Sequence, residues 1–240
     1  MISIRLLLAI MLSFSITTAY GQFLGFDRID DANVNGWSSG FAFEYFGAYH
    51  FGDSEAESTL VIFPAGDVVI AQIISGEWNA DATSWINFYR NLSNVKIDSR
   101  GRFYSDQYRG EFVSYSDNGK LTKCLKIYDS WSGVSTTPGE YELGYKLDLF
   151  MDALYPGNYV IASTQPLTAD ALRKYSATQL KIMRNEIFAR YGYTFKPQGQ
   201  MDIHFRQQNW YRPQHSNVNN FLTALEKANI KLIQAEEKSR

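Results

Sequence analysis

The chain has 240 residues, of which 45% are hydrophobic and 15% aromatic, and its formal net charge is −2. This is enough apolar material for a packed core without covalent cross-links. A single cysteine, Cys124, excludes an intrachain disulfide framework. Because Cys124 lies in an apolar run, we interpret it as a small core residue rather than a nucleophile.

The first 21 residues are typical of a signal peptide. Arg5 supplies the positive charge, the run from Leu6 to Ile16 is apolar, and Ala19-Tyr20-Gly21 forms a small-residue cleavage site. The apolar run is shorter than the roughly 20 residues that span a bilayer. We therefore predict cleavage after Gly21 and export to the periplasm, the outer surface or the medium. No transmembrane segment is expected in the mature chain, and export makes nucleic acid a poor partner.

Residues 22–165 have the pattern of short strands joined by polar turns. Two apolar runs flank Pro64-Ala65-Gly66-Asp67, and two more flank Asn118-Gly119, a pair that suits a tight hairpin turn. Further strands are expected at Gly40 to His50, Val95 to Ile97, Tyr141 to Leu147 and Tyr159 to Ala162. The segment from Asp81 to Leu92 shows helical spacing instead. Together these elements predict an all-β meander domain, either a barrel or a sandwich.

Residues 166–240 change to a helical period. Ser176 and Gln179 form a capping box, and Gly192 suits the position after the last turn of the same helix. Its apolar face carries Leu180, Met183, Ile187 and Tyr191. A short helix from Met201 to Phe205 and a last one from about Val218 to Glu236 complete a three-helix domain. The fold class predicted for the chain is α+β.

The charges are divided between the two predicted domains. Residues 22–165 contain 10 Lys and Arg against 19 Asp and Glu, whereas residues 166–240 contain 12 against 6. Such a division supports two domains. It leaves two interpretations open, because the basic domain either meets an anionic partner or docks on the acidic domain.

The helix that begins at Ser176 contains the motif Arg184-Asn185-Glu186-Ile187-Phe188-Ala189-Arg190-Tyr191-Gly192-Tyr193. This motif resembles the YARHG domain, a small module of exported bacterial proteins. The resemblance continues through Phe195, Phe205, Trp210-Tyr211-Arg212-Pro213 and the run from Glu226 to Ile230, and covers the last third of the chain. Tyr191 stands where the family has histidine, so no titrating imidazole is expected there. The resemblance implies export and no particular activity.

Arg184 lies in the middle of the apolar face of this helix. A buried guanidinium needs a carboxylate partner, and Asn229 is similarly placed on the last helix beside Glu226. We therefore predict a structural network of Arg184, Glu226 and Asn229. The alternative is an anion site in which Arg184 grips a carboxylate or phosphate. Glu186 and Arg190 are four residues apart and are expected to form an exposed helix pair.

The sequence predicts no catalytic residue, cofactor or metal site. Gly36-Trp37-Ser38-Ser39-Gly40 has the nucleophile-elbow pattern, but a polar stretch precedes it and a strand-like run follows where a helix is required. The three histidines, His50, His204 and His215, lack metal-ligand spacing. Trp37, Trp78, Trp85 and Trp131 are interpreted mainly as core residues. The alternative is that exposed members of this set stack on sugar rings.

We predict from these features a non-catalytic binding or protein-interaction module of the cell envelope. It would contact an anionic envelope polymer or a protein through the basic domain. The predicted binding residues are Arg184, Glu186, Arg190, Tyr191, Trp210, Tyr211 and Arg212. One alternative is an envelope glycan hydrolase with a carboxylate pair brought together by folding. Another is a structural cap, in which the helical domain only stabilises the β domain.

Overall fold

The structure is a computed structural model that describes residues 22–25, 27–133, 137–149 and 151–240. The predicted signal peptide and its cleavage site lie outside these residues. Within them, no helix combines the length and the apolar character that crossing a bilayer requires. We refer below to residues 22–149 as the sheet region and to residues 151–240 as the helical region.

The described part of the sheet region forms one curled, largely antiparallel sheet with the shape of a half-barrel. The strands are β1 Gln22–Leu24, β2 Asp27–Arg28, β3 Val34–Gly36, β4 Gly47–Phe51, β5 Ser58–Ala65, β6 Val68–Trp78, β7 Trp85–Asn91, β8 Lys96–Ile97, β9 Arg102–Tyr104, β10 Arg109–Asp117, β11 Lys120–Tyr128 and β12 Tyr141–Leu147. The main path through the sheet runs β7-β6-β5-β4-β12-β11-β10-β9-β8, with β1 to β3 attached at its side.

The two hairpins predicted from turn residues are confirmed. Asp117 faces Lys120 across the β10–β11 turn, and Asn118 and Gly119 both have positive φ, 47° and 81°. Residues with positive φ at both central positions give the turn the twist of the paired strands. The β5–β6 hairpin turns at Gly66, which has a φ of 65°.

Three predicted elements were wrong. The segment from Asp81 to Leu92 is not a helix, because residues 85–91 pair with β6 along their whole length as β7. The strand expected from Gly40 to His50 is split into a 3₁₀ helix, Ala42–Tyr45, and β4, which lets Tyr45 enter the core. The strand expected from Tyr159 to Ala162 is replaced by a turn and a short helix. Pairing with β6 decided the first case and packing against the rest of the chain decided the other two, so local spacing does not reveal them.

The helical region contains the three predicted helices and three single turns, but the last helix begins at Ala224 rather than near Val218, because Thr223 caps it. The helices are α1 Met151–Leu154, α2 Ile161–Thr164, α3 Ala169–Leu172, α4 Ala177–Arg190, α5 Gln200–Arg206 and α6 Ala224–Lys238. The capping box of Ser176 and Gln179 begins α4, and Gly192 follows its end with a φ of 70°. A second capping box, Thr223 with Glu226, begins α6. The α+β fold class is confirmed, whereas the domain boundary at residue 165 stays a prediction.

The two faces of the sheet pack into different hydrophobic cores. One face carries a core within the sheet region, with Tyr49, Phe51 and Phe112 among its largest buried side chains. The other face packs Val61 and Phe63 against Tyr155 and Leu225 of the helical region. The helical region is therefore fixed to the sheet by apolar burial.

Polar contacts along β6 and β7 add to this attachment. Gln72 and Asn91 donate side-chain hydrogen bonds to the carbonyl oxygen of Phe221, over 2.7 and 3.0 Å. His215 Nε2 lies 2.8 Å from the carbonyl oxygen of Asn87. Every ion pair among the described residues joins partners of the same region. The helical region thus docks on the sheet without ion pairs between their opposite charges in the described part of the chain.

Candidate functional site

Glu186 and Arg190 form a buried ion pair, and the prediction of an exposed pair was wrong. Their side chains are only 2% and 4% exposed. Glu186 accepts hydrogen bonds from the backbone N–H groups of Asn158 and Tyr159, over 2.9 and 2.6 Å. Arg190 donates to the carbonyl oxygen of Pro156 over 2.8 Å. The pair therefore fastens the chain ahead of α2 to α4, where it satisfies backbone groups that water would otherwise bind.

Tyr191 lies in a second buried network, between the sheet and α6. Its hydroxyl donates to Glu226 over 2.7 Å and lies 3.3 Å from Gln72 of β6. Glu226 also accepts from the backbone N–H of Thr223 over 2.9 Å. Tyr191, which stands where the family has histidine, thus connects α4 with the sheet and with α6.

Glu226 has less charge compensation than its burial requires. Its Oε1 and the hydroxyl of Tyr155 have no hydrogen-bond partner among the described residues. Desolvation raises the pKa of Glu226 above its ordinary value, although hydrogen bonds from Thr223 and Tyr191 oppose this. Protonation of Glu226 removes the cost of burying its charge, so low pH favours the folded protein at this position.

This arrangement predicts a pH-dependent effect of Glu226→Gln. A carboxyl whose pKa is raised by folding stabilises the protein fully below its unfolded pKa, and this contribution is lost as pH rises through the folded pKa. Glutamine does not titrate, so the stability of the wild type relative to the variant should fall over the pH range that extends upward from the ordinary pKa of a glutamate carboxyl. Denaturant melts of both proteins across this range measure the difference. Parallel stability profiles would contradict the prediction.

Arg184 is paired with Glu237, and the predicted network with Glu226 and Asn229 was wrong. Its Nε and Nη2 lie 3.1 Å from Glu237 Oε1 and Oε2, and the two side chains are 20% and 18% exposed. Asn229 instead donates to the carbonyl oxygens of Ala162 and Gln165. The helices cross so that Arg184 meets a later turn of α6, at a partly hydrated position where a charge costs less.

Arg184 also lines an open cleft of about 410 Å³ between α4 and the chain before α6. Its walls are Arg184, Asn185, Phe188, Tyr193, Ser216, Asn217, Val218 and Asn219. The pair with Glu237 uses Nε and Nη2, so it engages part of the guanidinium fork. Phe188 and Tyr193 lie with ring centroids 6.1 Å apart. The cleft combines a cation, amides and aromatic rings, a composition suited to hydroxyl and anionic groups of a ligand.

The predicted corner at Trp210 lies outside this cleft. Tyr211 is buried, and its hydroxyl donates to the carbonyl oxygen of Tyr193 over 2.7 Å. Trp210 packs on Phe205, with ring centroids 6.1 Å apart. Arg212 is exposed and donates to backbone carbonyls of its own turn. The seven predicted binding residues therefore lie in four places, and Arg184 is the member that lines the cleft.

Several cleft residues were missed by sequence reasoning. Asn185 is part of the motif and donates to the carbonyl oxygen of Lys181 over 2.7 Å. Asn217 and Asn219 form a turn in which the N–H of Asn219 donates to the Asn217 side chain over 2.9 Å. The signal was the density of serine and asparagine from Ser216 to Asn220, which is typical of a loop.

The described residues offer few catalytic features. Ser38 follows the short strand β3 rather than a polar coil, and a 3₁₀ helix comes after it instead of the α-helix that an elbow requires. Cys124 is buried in the core, and burial raises the pKa of its thiol to about 12. No group of three or more His, Cys, Asp or Glu side chains suited to a metal ion occurs in the part of the chain that the structure describes.

Comparison with known proteins identifies the helical region. Residues 157–238 match the family model of the YARHG domain. The match begins at Gly157, beside the Glu186–Arg190 pair, and ends in the last turn of α6. No curated protein and no solved structure matches the chain.

Proposed function

We propose that this YARHG-domain protein is a non-catalytic binding protein of the bacterial cell envelope. Its ligand is an anionic glycan of the envelope, and the binding site is the cleft at Arg184. The proposal rests on the cleft, in which Arg184 and three asparagines face solvent beside the rings of Phe188 and Tyr193. Amides and a guanidinium together match a chain of hydroxyls that carries carboxylate or phosphate groups.

The charge of residues 166–240 supports the same ligand class. This segment has 12 Lys and Arg against 6 Asp and Glu, and its ion pairs in the described chain do not use the acidic sheet region. The excess positive charge is therefore free to attract an anionic polymer. The signal-peptide pattern of residues 1–21 and the family match support an encounter in the envelope.

Co-sedimentation with purified peptidoglycan sacculi tests the proposal with the chain from Gln22 onward. We expect binding that weakens as salt rises, since exposed charges are screened within about 10 Å at 0.1 M salt. Arg184→Ala should reduce binding by about tenfold, because a charge-assisted hydrogen bond contributes about 1.5–3 kcal/mol.

Two further arginines provide controls of equal charge. Arg173→Ala removes an exposed arginine that pairs with Asp170 outside the cleft, and should leave binding unchanged. Arg212→Ala tests whether the corner at Trp210 contributes to binding. Equal losses in all three variants would show non-specific attraction and contradict a site at Arg184. Release of soluble sugar from the sacculi would favour the hydrolase alternative.

A further inference from the structure

A second recess lies at the end of the β6–β7 hairpin, away from the Arg184 cleft. It consists of two adjoining cavities of about 420 and 180 Å³, which share Glu57 and Trp85 as walls. Trp78 and Glu55 also line the outer cavity, and His50 and Asn87 line the inner one. We call these six residues the tryptophan recess. Neither the predicted site residues nor the family match, which begins at residue 157, includes it.

The two tryptophans are held in place by the hairpin. Trp78 and Trp85 face each other across the last pair of the β6–β7 ladder, with ring centroids 5.5 Å apart and planes at 82°. The turn that follows is tied by the Asn79 side chain, which accepts from the N–H groups of Thr83 and Ser84 over 2.9 and 3.0 Å. This geometry is set before any ligand arrives, which lowers the entropy cost of binding.

The indole of Trp85 is also held in place by its packing on Gly76. A Cβ atom added to Gly76 would lie 2.1 Å from Nε1 of Trp85, so the indole passes directly over this glycine. Trp78, in contrast, is 48% exposed. The exposed indole of Trp78 presents an apolar face beside polar groups, an arrangement common at binding surfaces.

The polar groups of the recess narrow the ligand class. Glu55 and Glu57 are exposed, and neither forms an ion pair with a described residue. The described walls of both cavities include no lysine or arginine. Carboxylates accept hydrogen bonds from hydroxyls and repel anions, whereas an indole offers an apolar face for stacking.

We propose that the tryptophan recess binds a neutral pyranose glycan. The indole of Trp78 stacks on the C–H face of one sugar ring, and Glu55 and Glu57 accept hydrogen bonds from its hydroxyls. One segment of the chain lies between this recess and the Arg184 cleft. Gln214 donates to the carbonyl oxygen of Trp85 over 2.7 Å, and residues 216–219 line the cleft. The recess does not depend on the function proposed for Arg184.

Calorimetric titration of the chain from Gln22 onward with chitotetraose and with cellotetraose tests this site. We expect binding of at least one of these neutral tetrasaccharides, accompanied by a change in tryptophan fluorescence. Trp78→Ala should weaken it by about tenfold through loss of the stacked ring. Glu57→Gln should weaken it less, since the amide oxygen still accepts a hydrogen bond.

Two variants serve as controls. Phe43→Ala removes another aromatic side chain, 67% exposed and outside the recess, and should not change the affinity. Arg184→Ala should also bind the tetrasaccharide normally, which separates this site from the anionic one. Absence of binding by the wild type, or equal affinity of Trp78→Ala with an unchanged melting curve, would overturn the proposal. Binding of choline with no binding of either sugar would assign the recess to an ammonium ligand instead.

Discussion

Replacement of Arg190 by alanine should lower the free energy of unfolding by about 3–5 kcal/mol. The substitution leaves the carboxylate of Glu186, whose side chain is 2% exposed, without its cation. It also removes the donors to the carbonyl oxygen of Pro156 and to the hydroxyl of Ser163. A buried charge that has lost its partner pays its full desolvation penalty, which is larger than the net strength of the pair itself.

Arg184→Ala is the matched comparison, because it removes the same side chain from the same helix. Arg184 and Glu237 are 20% and 18% exposed, so water solvates the remaining carboxylate and the cost should be about 1 kcal/mol. Thermal and denaturant melts of the two variants measure both effects. A larger loss for Arg184→Ala would contradict this order, which is the reverse of the one that the helix spacing predicts.

Replacement of Gly157 by alanine should destabilise the protein by about 3 kcal/mol or more. Gly157 has a φ of 123°, a conformation that side chains with a Cβ rarely adopt. The added Cβ would also lie 2.4 Å from the carboxyl carbon of Glu186. Either the backbone moves, or Glu186 leaves the N–H groups of Asn158 and Tyr159.

Gly119→Ala separates the two contributions. Gly119 also has a positive φ, 81°, but no atom lies within 4 Å of its added Cβ. Its substitution should therefore cost only backbone strain, about 1–2 kcal/mol. Denaturant melts of the two variants provide the comparison. Equal losses of stability in the two variants would contradict the prediction. They would show that the close contact between residue 157 and the Glu186 carboxylate does not contribute to stability.

Several parts of the fold followed from short stretches of sequence. The capping box at Ser176, the apolar face of α4 and Gly192 after its end are interactions within a few residues, and the structure confirms all three. The tight turn of the β10–β11 hairpin likewise depends on Asn118 and Gly119. Signals of this kind are reliable because the groups that make the interaction are neighbours in the chain.

The partners of the charged motif residues were decided by tertiary structure. Helix spacing correctly marked Glu186 and Arg190 as a pair, yet their burial depends on residues 156–163, which fold back over α4. The choice of Glu237 for Arg184 depends on how α4 and α6 cross. The tryptophan recess similarly depends on packing, because Glu55 and Glu57 must lie beside the β6–β7 hairpin. Burial and partner choice are properties of packing between distant segments, and the energy of a charge depends on both.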